Sequence, residues 1–156
     1  MKTLQHGQRI LWLSTHFMLD DQSAPTHAFD WYPPPEDYID FGECNQVKFD
    51  LKVWLSGLGA GSTKINFERA TQLELADQFE AMNSVPQNLN QGGTAAGVFS
   101  VEFGRGGYTV AADKYPRGVG RPYVYNEDVV AGHLSSVRME IWAVGQKFLA
   151  AAGRRS

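Results

Sequence analysis

The sequence predicts a mainly β protein: an antiparallel β-sandwich of jelly-roll type, with about seven or eight strands, one short helix and an extended N-terminal arm. Apolar and polar residues alternate along several segments, Gly- or Pro-bearing links separate those segments, and only one segment has helical periodicity. The chain has 156 residues, of which 43% are apolar, and this is enough for one packed domain with its own core.

The alternation is clearest between Gln46 and Ala70. From Val47 to Leu55 every second residue is apolar, a period of two that buries one face of a strand and cannot bury one face of a helix. The segment Gly57–Ser62, GLGAGS, interrupts the pattern, which resumes at Ile65 and Phe67. The two halves therefore predict a β-hairpin with one face in the core and one in water.

Residues 1–45 are predicted to form an acidic, proline-rich arm, residues 46–148 the sandwich, and residues 149–156 a frayed tail. The segment Ile10–Leu19 is apolar on both sides, as expected of a strand or extended arm held between two surfaces. Pro33, Pro34 and Pro35 favour an extended, polyproline-like course. The segment Tyr38–Phe41 is short enough to pair only briefly with a neighbouring strand.

After the hairpin, the sequence predicts one helix and further strands. Leu75, Phe79 and Met82 recur at the spacing of one helical face, which predicts a helix over Gln72–Met82. Alternation and glycine-rich links then predict strands over Val98–Gly104, Tyr108–Ala112, Tyr123–Val130 and Leu134–Val144.

Charge is distributed unevenly along the chain. No Lys or Arg occurs between Arg9 and Lys48, an interval rich in Asp and Glu, whereas basic residues outnumber acidic ones from Arg105 onward. Two interpretations stay open: a solvated acidic loop, or an arm that docks on the basic half of its own chain or of a neighbour. The second interpretation assigns the interface to Trp31, Tyr32, Asp37, Asp40, Trp54, Arg105, Arg117 and Arg121.

The net charge, the length of the apolar runs and the cysteine count exclude several classes of binding partner and cellular location. A net charge of −3 gives no basic stripe for nucleic acid. No apolar run is long enough to span a bilayer, and Ser14, Thr15 and His16 interrupt the only stretch that resembles the core of a signal peptide. The single cysteine, Cys44, forms no intrachain disulfide and is expected to be a small buried apolar group.

No catalytic, cofactor-binding or metal-binding residues are predicted. Residues 57–64, GLGAGSTK, lack the second Gly and the Lys of a phosphate-binding loop, because Ser62 and Thr63 stand in those positions and a strand follows. The histidines are not paired at metal-ligand spacing, and no G-x-S-x-G motif occurs. We therefore expect a protein that is not an enzyme and has no cofactor, with an unrecognised hydrolase as a minor alternative.

The outward-facing aromatic residues leave a binding alternative open. Trp54 and Trp142 lie on the polar sides of their strands, where either another part of the assembly covers them or they serve as stacking platforms. The second possibility predicts a carbohydrate-binding or host-adhesion module, with surface glycans as partners and its site in loop 105–125.

From Val47 to Phe148 the order of elements resembles small β-sandwich virion structural proteins of tailed bacteriophages. The resemblance depends on the alternating strand and Gly/Ser/Thr loop, followed by LADQFEAM (75–82), RPYVYNED (121–128) and LSSVRMEIWAV (134–144). It implies a non-enzymatic virion protein of capsid-decoration, minor head or tail-associated type, made in the host cytoplasm. Such a protein oligomerises with itself and docks on other virion proteins, on a phage capsid or tail lattice. In this interpretation, deletion of residues 1–45 leaves a folded domain that no longer assembles.

Overall fold

The structure, a computed structural model, describes residues 1–20, 30–56, 63–70, 79–83, 85–89, 96–104, 118–126 and 134–147. Within these residues the chain is mainly β and forms two sheets packed face to face, which confirms the predicted mainly β sandwich. Its strands are β1 (Lys2–Thr3), β2 (Arg9–Asp20), β3 (Ile39–Asp40), β4 (Gln46–Ser56), β5 (Thr63–Ala70), β6 (Glu80–Ala81), β7 (Gln87–Asn88), β8 (Ala96–Gly104), β9 (Val119–Asn126) and β10 (Leu134–Gln146).

The strands divide between two sheets. Sheet 1 has the order β1-β3-β9-β5-β6, with β7 also paired to β5, and sheet 2 has the order β2-β10-β4-β8. The strand pairs are antiparallel except for β1 with β3. Four pairs are nested along the chain: β2 with β10, β3 with β9, β4 with β8, and β5 with β6.

The predicted hairpin over Gln46–Ala70 is wrong, although its two strands exist. β4 lies in sheet 2 between β10 and β8, whereas β5 lies in sheet 1 beside β9. The alternation correctly predicts which side chains are buried along both strands, but it does not encode the partner of a strand. The chain therefore crosses from one sheet to the other between β4 and β5.

The inward faces of the two sheets meet in an aromatic core. Phe49 of β4 stacks on Phe67 of β5, with ring centroids 4.3 Å apart and an interplanar angle of 11°. Phe103 meets both rings edge-on, at 6.0 and 5.8 Å, and Trp12 lies 5.1 Å from Phe49. Aromatic side chains bury the largest apolar areas, so this cluster provides much of the stabilisation between the sheets.

A β-bulge explains why the segment Ile10–Leu19 is apolar on both sides. In the pairing with β10, Leu13 faces Ile141 and Leu11 faces Trp142, so Trp12 is an extra residue without a partner. A bulge changes the phase of the alternation. Up to the bulge, Ile10 and Trp12 are the residues of β2 that pack on the core. Beyond the bulge, Leu13, Phe17 and Leu19 do so.

The described part of residues 1–45 belongs to the sandwich. β2 pairs with β10 over its full length, and β1 and β3 extend sheet 1. This region also supplies a large share of the core: Leu4, Trp12, Leu13, Leu19, Ile39, Phe41 and Cys44. The first strands therefore pair with the last ones and do not form an arm separate from the sandwich. The expected tail, 149–156, lies outside the described residues.

The predicted helix over Gln72–Met82 is wrong at its C-terminal end, and residues 71–78 lie outside the described part of the chain. Glu80–Ala81 forms β6, and the backbone N–H of Met82 donates to the carbonyl of Phe67 at 2.6 Å. Pairing with β5 therefore replaces helical hydrogen bonds there. The predicted strand Tyr108–Ala112 also lies outside the described residues. The described strands number ten, of which four contain only two residues.

Candidate functional site

The outer face of sheet 1 carries three cross-strand pairs between β5 and β9. Because side chains alternate along a strand, the residues that face away from the core on β5 meet those that do so on β9. These pairs are Glu68 with Arg121, Asn66 with Tyr123, and Lys64 with Tyr125. The face is therefore both charged and aromatic.

The segment Asp30–Phe41, here named the strap, runs along the edge of β9. Trp31 and Val124 exchange two backbone hydrogen bonds, of 2.8 and 3.0 Å, and Ile39 pairs with Gly120 further along β9. Between these points the strap leaves the sheet at its three prolines and forms a 3-10 turn, Pro35–Asp37. Proline has no N–H to donate to a sheet, so the departure follows from the sequence.

Arg121 connects the strap to sheet 1. Its Nε donates to Glu68 Oε1 at 3.0 Å, and its Nη1 donates to the Tyr38 hydroxyl at 3.0 Å. Its guanidinium carbon lies 4.0 Å from the ring centroid of Tyr32 and 4.0 Å from that of Phe79. One side chain thus holds the strap, β5 and the residue before β6 together through an ion pair and cation–π contacts.

The ionisable groups of this face have shifted pKa values. Burial raises the pKa of Glu68, and Arg121 offsets only part of that effect. Burial lowers the pKa of Arg121, but its hydrogen bonds to Tyr38 and Glu68 outweigh this and leave the pKa raised. Burial, followed by the charge of Glu68, raises the pKa of Tyr32 to about 12. Burial and the hydrogen bond to Asp30 also raise the pKa of Tyr123.

Two ring stacks fix the N-terminal half of the strap. Trp31 lies 4.1 Å from Phe17 of β2 with an interplanar angle of 3°, which joins the strap to sheet 2. Tyr32 stacks on Tyr123 at 4.9 Å. The hydroxyl of Tyr123 donates to Asp30 Oδ2 at 2.5 Å. The strap is therefore anchored by aromatic contacts as well as by backbone hydrogen bonds.

The outer face of sheet 2 is more open. Trp54 of β4 is 39% exposed, and the Arg138 guanidinium of β10 lies 4.9 Å from the centroid of its ring. Met18, at 52% exposed, and Val98, at 75% exposed, add further apolar surface. We name the end of this face that contains His16, Met18, Lys52, Trp54 and Arg138 the Trp54 corner.

At the opposite end of this face the charged groups pair with one another. The Asp50 carboxylate lies 3.8 Å from the Arg9 guanidinium and 3.5 Å from Lys48 Nζ. It also accepts a hydrogen bond of 2.6 Å from the Ser100 hydroxyl. The Arg9 guanidinium also lies 4.3 Å from the ring centroid of Trp142. Trp142, expected to need a cover, is thus partly covered by a side chain of its own sheet.

The structure brings together only some of the predicted interface residues. Arg121 contacts Tyr32, and Trp31 pairs with Val124 of the same strand, so these three predicted residues hold the strap against its own chain. Asp37 is exposed on the 3-10 turn, and Asp40 Oδ1 accepts the backbone N–H of Gly42 at 2.8 Å. Trp54 lies on the other sheet and does not join this cluster, and Arg105 and Arg117 lie outside the described residues.

Sequence reasoning missed the residues that complete both surfaces. Glu68 and Tyr38 hold Arg121, and Arg138 lies over Trp54, but none of these was a candidate. The outward phase of Glu68 and Arg138 was visible in the alternation of their strands. Their partners were not visible, because cross-strand register depends on pairings between distant parts of the chain.

A cavity of about 320 Å³ lies beside Cys44 and is lined by Thr3, Leu4, Gln5, His6, Gly42, Glu43 and Lys147. Cys44 is buried, as expected, and burial raises the pKa of its thiol, which makes it a weak nucleophile. Lys147 Nζ pairs with Glu43 at 3.0 Å, and the Lys147 backbone N–H donates to His6 Nδ1 at 2.9 Å. The charged groups at this cavity therefore bind one another.

Across the described ranges, no group of three His, Cys, Asp or Glu side chains is placed to hold a metal ion. The same residues include no helix long and apolar enough to cross a membrane. No protein-family model matches the chain, and no curated protein matches it. The functional argument therefore depends on the fold and on the two outer faces.

Proposed function

We propose that the protein is a non-enzymatic structural component of a phage virion, which oligomerises and docks on a capsid or tail lattice. We assign its sandwich to the jelly-roll class. The nested pairs, from β2 with β10 inward to β5 with β6, support this assignment, because a jelly roll is a long antiparallel ribbon wrapped into two sheets. Jelly rolls are frequent in viral capsid and lectin domains.

The observation that carries the proposal is the outer face of sheet 2. Trp54, Met18 and Val98 are large apolar residues, and all are exposed on a regular, well-paired sheet. Exposed apolar groups on a rigid surface favour a contact site, because water solvates them poorly and docking loses little conformational entropy. The outer face of sheet 1 is less suited to this role, since the strap already occupies it.

Self-association is tested by size-exclusion chromatography with light scattering. The monomer has a mass of 17.3 kDa, and we expect a discrete larger species for the unmodified chain. The double variant Met18→Ser, Trp54→Ser should shift the species toward the monomer. Val85→Ser is the matched control, because Val85 is also an exposed apolar residue but lies away from sheet 2. A chain that stays monomeric at high concentration would exclude an assembly role.

The virion assignment has a separate test. Mass spectrometry of phage particles purified from cells that carry the gene should find the chain in an amount that is a fixed multiple of the particle number. Its absence from purified particles would refute the virion assignment while leaving self-association intact.

A second candidate is a carbohydrate-binding or host-adhesion module on the same fold, which one observation favours. Tyr32 is 39% exposed on the outer face of sheet 1, so its ring offers a platform on which a sugar can stack. Residues 105–117 of the initially predicted loop, 105–125, lie outside the described residues, and the rest of that prediction is wrong because Val119–Asn126 forms β9. A glycan array distinguishes the two functions: the assembly proposal expects no binding, whereas the module expects binding that Tyr32→Ala abolishes.

A further inference from the structure

We propose that copies of this chain join head to tail, with the acidic turn Pro34–Asp37 of one copy docked on the Trp54 corner of the next. This inference depends on the proposed self-association and names the two surfaces that carry it. It commits to a second copy of the chain as the occupant of the corner.

The acidic turn is exposed and rigid. Pro34, Pro35, Glu36 and Asp37 are all exposed, and neither acidic side chain forms an ion pair within the described part of the chain. Pro34 has φ −65° and ψ 156°, the values of polyproline II. The turn is held by hydrogen bonds from Asp37 N to Pro34 O at 2.9 Å and from Trp12 Nε1 to Asp37 O at 2.8 Å. A surface that is ordered before binding loses little entropy when it docks.

The Trp54 corner has complementary chemistry. Trp54 presents an exposed indole ring, Arg138 lies beside it, and Lys52 is exposed two residues earlier on β4. Lys52 faces Glu140 across the ladder, whereas Arg138 lies between Trp54 and His16, so the corner around the indole ring is cationic. The opposite end of the face is less available, because Asp50 already binds Arg9 and Lys48.

The two surfaces match in both apolar and charged character. Exposed proline side chains pack against aromatic rings, as Pro34 and Pro35 can against Trp54, and the carboxylates of Glu36 and Asp37 suit a guanidinium and an ammonium group. The turn belongs to the strap on sheet 1, and the corner belongs to sheet 2. A head-to-tail contact of this kind leaves a free turn on one copy and a free corner on the other, so it can extend into an open chain or close into a ring.

Charge reversal tests the contact. The turn variant Glu36→Lys, Asp37→Lys and the corner variant Arg138→Glu should each weaken self-association at least about tenfold, which corresponds to about 1.4 kcal/mol. Each variant keeps one functional surface, and the reversed turn and the reversed corner carry opposite charges, so an equimolar mixture should recover the assembly that neither variant forms alone. A mixture that contains only monomers would overturn the proposed contact.

Matched charge reversals serve as controls. Glu43→Lys reverses an acid whose side chain is 83% exposed but lies outside the turn, and Lys48→Glu reverses a base on β4 outside the corner. Both should assemble as the unmodified chain does, and circular dichroism should report the same fold for all variants. If the unmodified chain is monomeric, the proposed function fails with the inference. If it assembles and the turn and corner variants assemble equally well, only the inference fails.

Discussion

The outer faces of the two sheets share one kind of contact but differ in what else covers it. Each carries an arginine over an aromatic ring: Arg121 lies 4.0 Å from Tyr32, and Arg138 lies 4.9 Å from Trp54. On sheet 1 the strap covers the face, and Arg121 is also bound to Glu68 and Tyr38. Tyr32 and Trp54 are equally exposed, at 39%, but the Arg121 side chain is only 16% exposed, whereas Arg138 on sheet 2 is exposed. A covered face stabilises the fold, and an uncovered one is available to a partner.

The difference arises because β10 of sheet 2 and β9 of sheet 1 are not paired equally along their edges. In sheet 2, β10 lies between β2 and β4 over nearly its whole length, so its sides are filled by long strands. In sheet 1, β9 has β5 on one side, and on the other it meets β3 and Trp31 with a gap between them. The prolines of the strap fall in this gap, and the aromatic residues on either side of them close over Arg121.

The largest effect is expected from removal of residues 1–45. The deletion takes β2 away from β10 and removes core residues that include Trp12 and Phe41, so we expect the remaining chain not to fold. Circular dichroism and thermal unfolding of the truncated protein provide the measurement.

This outcome is the opposite of the one that an attached arm predicts. A truncated chain with a cooperative unfolding transition and native β content would show that the sandwich does not need its first strands. Trp54→Ser, a change on the uncovered face, should retain the fold under the same conditions.

An intermediate effect is expected from the two arginines, which compare the faces directly. Arg121→Ala leaves the Glu68 carboxylate, whose side chain is only 13% exposed, without its partner, and we expect a loss of about 3 kcal/mol in the free energy of unfolding. Arg138→Ala removes an exposed cation from an aromatic ring, and we expect a loss of about 0.5–1 kcal/mol. Urea denaturation of both variants measures the difference.

Two further substitutions identify the cause. Arg121→Lys keeps the charge but loses the planar fork that reaches Glu68 and Tyr38 together, so it should recover only part of the stability. Adding Glu68→Gln to Arg121→Ala should also recover stability, because the uncharged amide costs less to bury. Equal losses for Arg121→Ala and Arg138→Ala would contradict the proposed difference between the faces.

The sequence predicted burial well and partners poorly, and the strands β4 and β5 demonstrate why. Phe49 and Phe67 were correctly placed in the core, because a period of two defines the buried face of each strand. Their strands were wrongly paired with each other, because the alternation is the same for a hairpin and for two facing sheets. The bulge at Trp12 was hidden for a related reason: an extra residue is defined only by the partner strand.

The candidate site follows the same rule. Trp31, Tyr32 and Arg121 were found from composition and charge, since aromatic residues beside prolines and an acidic segment opposed to a basic one are visible locally. Glu68 was not found, because its contact with Arg121 joins residues that are 53 positions apart and depends on the register of β5 with β9. That register is set by packing of the whole sandwich.

The smallest effect is expected from Tyr32 at alkaline pH, where the covered face should differ from the uncovered one. Burial and the charge of Glu68 raise the pKa of Tyr32 to about 12 in the folded protein, from an ordinary value of 10.0. The unfolded chain therefore loses this proton at lower pH than the folded chain does. The resulting contribution to stability is complete below pH 10 and is lost as the pH rises toward 12.

Tyr32→Phe keeps a ring over Arg121 but has no phenol, so its stability should fall less across this interval. Urea denaturation at several pH values measures the slope, and Trp54→Phe on sheet 2 should leave it unchanged. An equal slope for Tyr32→Phe and the unmodified chain would mean that the strap does not shield the phenol, and that the face of sheet 1 is as open as that of sheet 2.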